Sequence, residues 1–410
     1  MITLQQLRNV VGRQEFPEVW ERNVSYAADT FPVGVIPFLT SDYLVKIRKQ
    51  IMLSEDHARM VADTMDWIRE SDDRIGLFWL WHCILFRRPD FRGEKVSIWP
   101  VPTDAAAANG GNRSNVFPVV VLLSGYPQLL EIYERRNIPE SAIVDTLSAV
   151  DSCMKLYKER TGQNGFGTFY LHWLLHHFHG EIYKLGRLEY EITTLGPHVR
   201  VYEHVHNGSR IAFSEPGIAY REDGLVDGTN GRFDGPRSWV ASFSQTAQHL
   251  EGHPVTWEGC VEREAVSIPK IEWRLVLEPD DAVLSVHIPR EGKLTHELCG
   301  ESLSLAAAFF AAHYPEKRFH AFTCSSWLMD PQLQFLLDDS SNLVQFQRRF
   351  SLFPVLGTDE GLYRFVFHCD PCEIRLLPEN TLLQRNLKRY MAAGGSMRSA
   401  GGYILQRIEE

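Results

Sequence analysis

Two cations and a glycine lie in a predicted loop that joins a strand to a helix, and this combination suits an anion. Arg290 and Lys293 flank Gly292 in the loop. The first N–H groups of a helix have no partner within the helix, and the helix dipole adds about half a positive charge there. A phosphate or pyrophosphate group would therefore be stabilised at this position. The alternative is an ordinary strand–helix connection with solvated cations, and the spacing alone favours that alternative.

Three histidines have a spacing that could bind a metal. His172, His176 and His179 are four and three residues apart, so they share one face of a predicted helix. The same segment is aromatic and amphipathic, and no carboxylate pair accompanies it at a matching spacing. These features favour packing over ligation, so we expect no metal, and a metal-dependent hydrolase is the least favoured function.

A second short motif joins two cysteines. Cys369 and Cys372 have the spacing of a redox or zinc pair, but the sequence has no second pair of this kind. The surrounding pattern is not that of a thioredoxin-like strand and helix either. We therefore interpret the motif as a turn after a strand.

The elements that must position these residues change in type along the chain. Apolar residues three and four positions apart predict helices in the first half, and apolar–polar alternation predicts strands after Gly186. The main boundary lies between about Val150 and Gly186, and we divide the chain into domains 1–155 and 156–410. The predicted helices cover residues 42–52, 55–70, about 139–154 and about 168–185.

The richest segment runs from residue 281 to residue 368. It alternates as strand 282–289, loop 290–295, helix 297–315 and strand 319–329. Two short helices and a further strand over 363–368 follow. A last helix begins near Asn380 and ends at Gly394 and Gly395. The sequence therefore predicts an α+β (α/β-like) fold, in which a helical domain precedes a mixed sheet flanked by helices.

Three stretches of sequence carry a resemblance to a known family. They are VHIPREGKLTHELCGESLSLAAAFFAAHYPEKRFHAFTCSSWLMDPQL from residue 286, SSNLVQFQRRF from residue 340 and LLPENTLLQRNLKRY from residue 376, and GRLEYE from residue 186 fits the same pattern. The chain resembles a bacterial family that pairs a helical acyltransferase N-terminal domain with a GNAT-like C-terminal domain. The resemblance covers most of the chain.

This resemblance implies that two neighbouring parallel strands diverge and bind acyl-coenzyme A between them. The pantetheine arm would pair with the freed edge of the first strand, like an added strand, and the pyrophosphate would bind the following loop. The strands are expected to diverge around Ile288 and Trp327. The residues implied for cofactor binding are Ile288, Arg290, Gly292, Lys293, Leu294 and Trp327.

The loop departs from the usual pattern of the superfamily. That pattern reads Arg or Gln, two residues, Gly, one residue, and Gly or Ala. Here Gly292 follows only two positions after Arg290, and no second glycine stands at the expected place. The backbone would therefore be less open to a pyrophosphate.

Acyl transfer to an amine needs a base, a group that stabilises the oxyanion and an acid for the departing thiolate. His287, near the end of the first diverging strand, is the candidate base, because imidazole exchanges protons near neutral pH. Glu297 is an alternative base through a water, or a first-turn acid that complements the helix dipole. The superfamily's usual acid is a tyrosine on the helix after the second strand, and the sequence has none there. Cys324 and Ser326 are the candidates near the thioester, and Cys324 is either a proton donor, a nucleophile or a small core residue.

Composition excludes several classes of protein. The 410 residues carry 42 Lys and Arg against 52 Asp and Glu, a net charge of −10, which is a poor match to nucleic acid or an anionic membrane. The longest apolar run, 75–86, is shorter than the roughly 20 residues that a membrane span needs. The first residues lack the pattern of a signal peptide, so we expect a cytoplasmic protein. The sequence does not define the oligomeric state.

The sequence therefore predicts an acyl-CoA-dependent acyltransferase that transfers an acyl group directly to a small-molecule or amine acceptor. The main alternative is a GNAT-like binding module without catalysis, which the altered loop and the missing tyrosine would explain.

Overall fold

The computed structural model describes residues 2–88, 95–104 and 113–406. The chain folds into two compact units, Met1–Leu185 and Gly186–Glu410. The boundary that we predicted, between residues 155 and 156, falls inside the helix Ala149–Thr161. The change from helices to sheets therefore comes about thirty residues later than that boundary, at the end of the first unit.

The first unit is helical. Its helices and its one strand among the described residues are α1 Leu4–Val11, α2 Glu18–Asp29, α3 Ser41–Arg48, α4 Glu55–Arg69, α5 Asp72–His82, α6 Arg113–Leu123, α7 Tyr126–Arg135, α8 Glu140–Leu147, α9 Ala149–Thr161, α10 Leu171–Phe178 and β1 Ile182–Leu185. The stripe on α4 shows why they form. Val61, Met65 and Ile68 recur at four and three positions, and all three are buried.

Two segments of this unit bear on the sequence predictions. The helix predicted to reach residue 185 ends at Phe178, because Gly180 adopts a left-handed conformation (φ 65°), and residues 182–185 form a strand. The helical stretch Arg113–Arg135 is long and apolar enough to cross a membrane. Most of it is buried inside the unit, as is typical of a core helix.

The second unit combines sheets and helices. Its strands are β2 Leu188–Thr194, β3 Val199–His204, β4 Arg210–Ser214, β5 Ala219–Tyr220, β6 Trp239–Val240, β7 Phe243–Gln245, β8 His249–Gly252, β9 Val266–Pro269, β10 Trp273–Leu277, β11 Ala282–His287, β12 Ala321–Ser326, β13 Ser351–Phe353 and β14 Ala400–Leu405. Its α-helices among the described residues are α11 His296–His313, α12 Leu333–Leu336, α13 Asn342–Gln347, α14 Glu360–Leu362 and α15 Leu382–Ala392.

The main sheet of this unit has the strand order β2-β11-β12-β14-β13. Only the β11–β12 pair among these is parallel, and α11 connects its two strands. A second sheet, β10-β3-β4, packs against the start of β11 and β12 through Val283 and Ala321, which share a core with Val199 and Leu277. The predicted α+β class is thereby confirmed.

The predicted strand at residues 363–368 is wrong, because Tyr363–Phe367 is a π-helix. The segment alternates like a strand, but it also places apolar residues at a helical spacing. Tyr363, Val366 and Phe367 are the buried ones, whereas Phe365 is exposed. Short apolar runs satisfy both periods, and here the segment directly continues helix α14.

The predicted C-terminal helix exists as α15, but it does not close the fold. Strand β14 follows it and lies between β12 and β13. The sequence pattern does not indicate this strand, because it contains Gly401 and Gly402 and glycine is unfavourable in strands. A Cβ at Gly401 would lie 2.3 Å from the ring of Phe353, so the neighbouring strand leaves no room for a side chain.

Candidate functional site

Strands β11 and β12 diverge halfway along their length. Their parallel pairing covers three residue pairs and ends at Ser285 and Thr323. Beyond that point β11 stays paired with β2 as far as His287, and β12 stays paired with β14 as far as Ser326. The two strands therefore present unpaired edges to each other, starting two to three residues before Ile288 and Trp327, the positions predicted from the sequence.

One face of the sheet at this divergence is polar. Ser285 lies opposite Glu191 of β2 and Thr323 of β12. Residues directly opposite each other in a sheet project from the same face, as do residues two apart along one strand. We call this the polar face, and its polar side chains near the divergence are Ser285, His287, Glu189, Glu191, Thr323 and Ser325.

The polar face holds a histidine–carboxylate pair. His287 Nε2 lies 3.0 Å from Glu191 Oε2, and the two side chains are 31% and 26% exposed. Glu189, directly opposite His287 on β2, is buried. A carboxylate that bonds one imidazole nitrogen fixes the ring and stabilises the imidazolium, so the other nitrogen is suited to accept a proton.

Cys324 and Ser326 project from the opposite face, which α11 covers. On that face the Tyr190 hydroxyl lies 2.9 Å from Ser302 Oγ of α11, and the Tyr190 ring lies 5.6 Å from that of Phe322. Burial raises the pKa of Cys324 to about 12, so its thiol holds its proton at neutral pH. The structure therefore does not bring Cys324 and His287 onto one face.

Ser326 and Trp327 form the end of β12. Ser326 Oγ accepts a hydrogen bond from the Leu328 amide at 3.2 Å and begins the 3₁₀ turn Trp327–Met329. Trp327 is half-buried, and its side chain lies beside Gly361. Ser325, which sequence reasoning did not include among the site residues, is the exposed β12 residue on the polar face.

The loop after β11 has the composition of an anion site. Arg290, Gly292 and Lys293 are exposed, whereas Leu294 is buried and anchors the loop. Gly292 has a left-handed backbone (φ 84°), a conformation that costs glycine little. The loop ends at Thr295, whose hydroxyl caps α11 by accepting a hydrogen bond from the Leu298 amide at 3.3 Å.

Glu297 lies in the first turn of α11 and is exposed. Hydrogen bonds from its own backbone amide and from Thr295 lower the pKa of its carboxyl group. A carboxylate that stays ionised at a helix N-terminus complements the dipole, which is the second role considered for it from the sequence.

The histidine helix of the first unit makes local contacts. His176 Nδ1 lies 2.9 Å from Glu181 Oε2, and His179 Nε2 lies 2.9 Å from the carbonyl oxygen of Leu85. In the part of the chain that the structure describes, no three His, Cys, Asp or Glu side chains are grouped to hold a metal.

The segment GRLEYE at the start of β2 supports the loop, α11 and β11 together. Arg187 donates hydrogen bonds to the loop, Leu188 N donates one to Ser302 at 3.1 Å, and Glu191 pairs with His287. Sequence reasoning used this segment as a family marker and missed that three of its residues serve the site. The alternation of charged and apolar residues was the available signal.

Comparison with known families defines the class of protein. Residues 43–180 match the N-acyltransferase N-terminal domain, and residues 182–404, more than half of the chain, match the GNAT-like C-terminal domain. The two domains together define an acyltransferase. The chain belongs to the family with the GNAT-like C-terminal domain, which confirms both the resemblance seen in the sequence and the prediction of a transferase enzyme.

Solved structures share the fold over nearly the whole chain. An acyltransferase in complex with decanoyl-CoA and teicoplanin is 19% identical with a TM-score of 0.64. An acyltransferase in complex with CoA and 10C-teicoplanin is 18% identical with a TM-score of 0.65. Each similarity covers 98% of this chain and 99% of the other. A search of curated protein sequences finds no match.

Proposed function

We propose that this protein transfers an acyl group from acyl-CoA directly to an amine of a small-molecule acceptor. The observation that carries the proposal is the divergence of β11 and β12 after Ser285 and Thr323. An unpaired strand edge binds extended, amide-containing chains, and the pantetheine arm of coenzyme A is such a chain. Structures of the same fold that contain decanoyl-CoA, octanoyl-CoA or CoA support this choice of co-substrate.

The coenzyme lies along the free edge of β11 in this proposal. Its pyrophosphate binds the loop after that strand, where Arg290 and Lys293 supply charge and Gly292 and Leu294 supply backbone. Ile288 and Trp327 border the thioester arm on the two strands. These roles follow from the order of the elements and from the exposure of the loop.

The chemistry centres on the polar face. The acceptor nitrogen attacks the thioester carbonyl, and His287, oriented by Glu191, takes the proton that the nitrogen loses. A C–N bond forms and the C–S bond breaks, so the coenzyme leaves as a thiolate. The thiolate takes up the proton that His287 accepted from the amine, and Ser326, half-buried at the end of β12, borders the thioester. A pKa of about 12 makes the Cys324 thiol a poor nucleophile and a weaker acid than the departing thiol, so Cys324 neither attacks the thioester nor donates the proton.

Thermal unfolding with and without CoA tests the cofactor, because a ligand of the folded state raises the melting temperature. We expect CoA to stabilise the wild type, and R290A/K293A to lose most of that shift. K317A/R318A is the matched control, because Lys317 and Arg318 are exposed just beyond the other end of α11. Equal shifts in the two double variants would contradict the assignment of the loop.

A panel of amines with acyl-CoAs of several chain lengths tests the reaction. We expect release of free CoA thiol that depends on both substrates. Mass spectrometry should then detect the acylated amine. Stabilisation by CoA without any turnover across the panel would favour the non-catalytic binding module instead.

A further inference from the structure

The guanidinium group of Arg187 holds two carbonyl groups of the loop after β11. Arg187 Nε donates to the carbonyl oxygen of Lys293 at 3.0 Å, and Nη2 donates to that of Gly292 at 3.1 Å. These are consecutive peptide groups bound by one planar fork of donors, a geometry that a guanidinium supplies. The contact joins the first residues after Leu185 to a loop about a hundred positions later in the sequence.

This clamp determines where the loop amides point. In a trans peptide the C=O and N–H bonds lie antiparallel, and the described chain has no cis peptide bond. The carbonyl of Gly292 shares its peptide with the Lys293 amide, and the carbonyl of Lys293 shares its peptide with the Leu294 amide. Both N–H groups are therefore directed away from Arg187, and no backbone carbonyl among the described residues accepts a hydrogen bond from either of them.

Two consecutive amides that point the same way form a small anion-binding concavity. In the usual superfamily loop, two small residues let the backbone take this shape. Here Gly292 supplies one conformationally free position, and the second glycine is missing. The Arg187 side chain holds both carbonyls on the side of the loop opposite the amides. It therefore restricts the loop to the conformation that exposes the amides, as a second glycine would allow.

We propose that Arg187 is a positioning residue for the coenzyme: it fixes the amides of Lys293 and Leu294 so that they bind the pyrophosphate. This inference rests on the proposed function, since it needs CoA in the loop. Arg187 acts from behind the loop and through the backbone. Removing it therefore weakens binding of the pyrophosphate and leaves the pantetheine contacts along β11 intact.

The test compares CoA with pantetheine, which lacks the pyrophosphate, by isothermal titration. We expect R187A to bind CoA about tenfold more weakly, a loss of about 1.4 kcal/mol, because the two loop amides are no longer held in the conformation that binds the pyrophosphate. Its affinity for pantetheine should match that of the wild type. R187K should recover only part of the CoA affinity, because an ammonium group can hold two carbonyls, as Lys388 does with Arg375 and Leu377, but it lacks the planar fork of donors.

K388A is the matched control, because it removes a cation that holds two loop carbonyls elsewhere in the unit. It should bind both ligands like the wild type. If R187A loses affinity equally for both ligands, or loses none, the positioning role is overturned while CoA binding stands. A wild type that does not bind CoA overturns the proposed function and this inference together. Should R187A fail to fold, R187Q is measured and judged in the same way.

Discussion

His287 and Glu191 lie on neighbouring antiparallel strands, and their side chains meet diagonally, with Nε2 3.0 Å from Oε2. The residue directly opposite His287 is Glu189, and Glu191 lies two residues further along β2. The contact between His287 and Glu191 therefore joins residues that are not direct partners in the ladder. Diagonal pairs on one face of a sheet are within reach of long side chains. The contact holds the imidazole at the point where β11 has lost its other neighbour.

Replacement of His287 should reduce turnover without loss of coenzyme binding. A positioned general base contributes about 10²–10⁴-fold to the rate, so we expect H287A to lower kcat by this factor. E191Q should lower kcat by a smaller factor, because the amide keeps a hydrogen bond but not the charge. Steady-state kinetics and CoA titration measure both effects.

The control for this pair is H320A. His320 Nδ1 lies 3.5 Å from Asp281 Oδ2, and the His320 amide bonds to Ala282, at the opposite end of β11. Its kcat should stay within about twofold of the wild type, because surface pairs contribute little. An equal loss of kcat in H320A and H287A would contradict a specific role for His287.

No acyl group should accumulate on Cys324. With a pKa of about 12, roughly one thiol in 10⁵ is ionised at pH 7, and only the thiolate is an effective nucleophile. Intact-mass spectrometry after incubation with acyl-CoA, without acceptor, should therefore show the unmodified chain. The exposed Cys372 serves as the internal reference and should alkylate with iodoacetamide long before Cys324. An acylated peptide containing Cys324 would contradict direct transfer.

Gly292→Ala should weaken CoA binding several-fold. An added Cβ would meet nothing closer than Arg187 at 3.8 Å, so the cost is the left-handed backbone, about 1 kcal/mol. The loop would relax away from the conformation that the coenzyme needs. Gly394→Ala is matched to it, with φ 89° and open space around the position, and it should lose similar stability with no change in CoA affinity. Equal CoA affinity in the two variants would exclude a role for the Gly292 conformation.

His82 should make the stability of the protein depend on pH. Burial, with a smaller contribution from Arg87, lowers the pKa of His82 to about 3, and Nδ1 lies 2.8 Å from Ser124 Oγ. Below about pH 6.5 the unfolded chain binds a proton that the folded chain does not, so stability falls with pH until about pH 3. The free energy of unfolding should drop by about 2 kcal/mol more in the wild type than in H82Q between about pH 7 and about pH 5.

Urea titrations of the wild type and of H82Q at both pH values measure this difference, and H249Q is the control, because His249 is exposed. Its free energy of unfolding should fall between these pH values as much as that of the wild type. If H82Q does so as well, His82 is not the group responsible.

Local patterns were sufficient for most elements of the site. Short-range signals in the sequence indicate four of these elements: the strand that contains His287, the cations of the loop, the capped helix after Thr295 and the strand that contains Cys324. Each signal is a period, a cap or a turn residue, and these reflect interactions between residues close in the chain. Where a short segment fits two periods, as at 363–367, local patterns could not decide.

Other features depend on residues far apart in sequence. The insertion of β14 beside β12 is set by the rings and strands around Gly401 and Gly402, and no local propensity predicts it. Sheet register determines three further features. They are the pairing of His287 with Glu191, the contact of Arg187 with the loop and the placement of Cys324 on the opposite face. Sequence determined which chemical groups the chain carries and the local elements that hold them. The tertiary structure decided which groups meet, because register and sheet order come from packing over the whole unit, and a shift of one residue reverses every face.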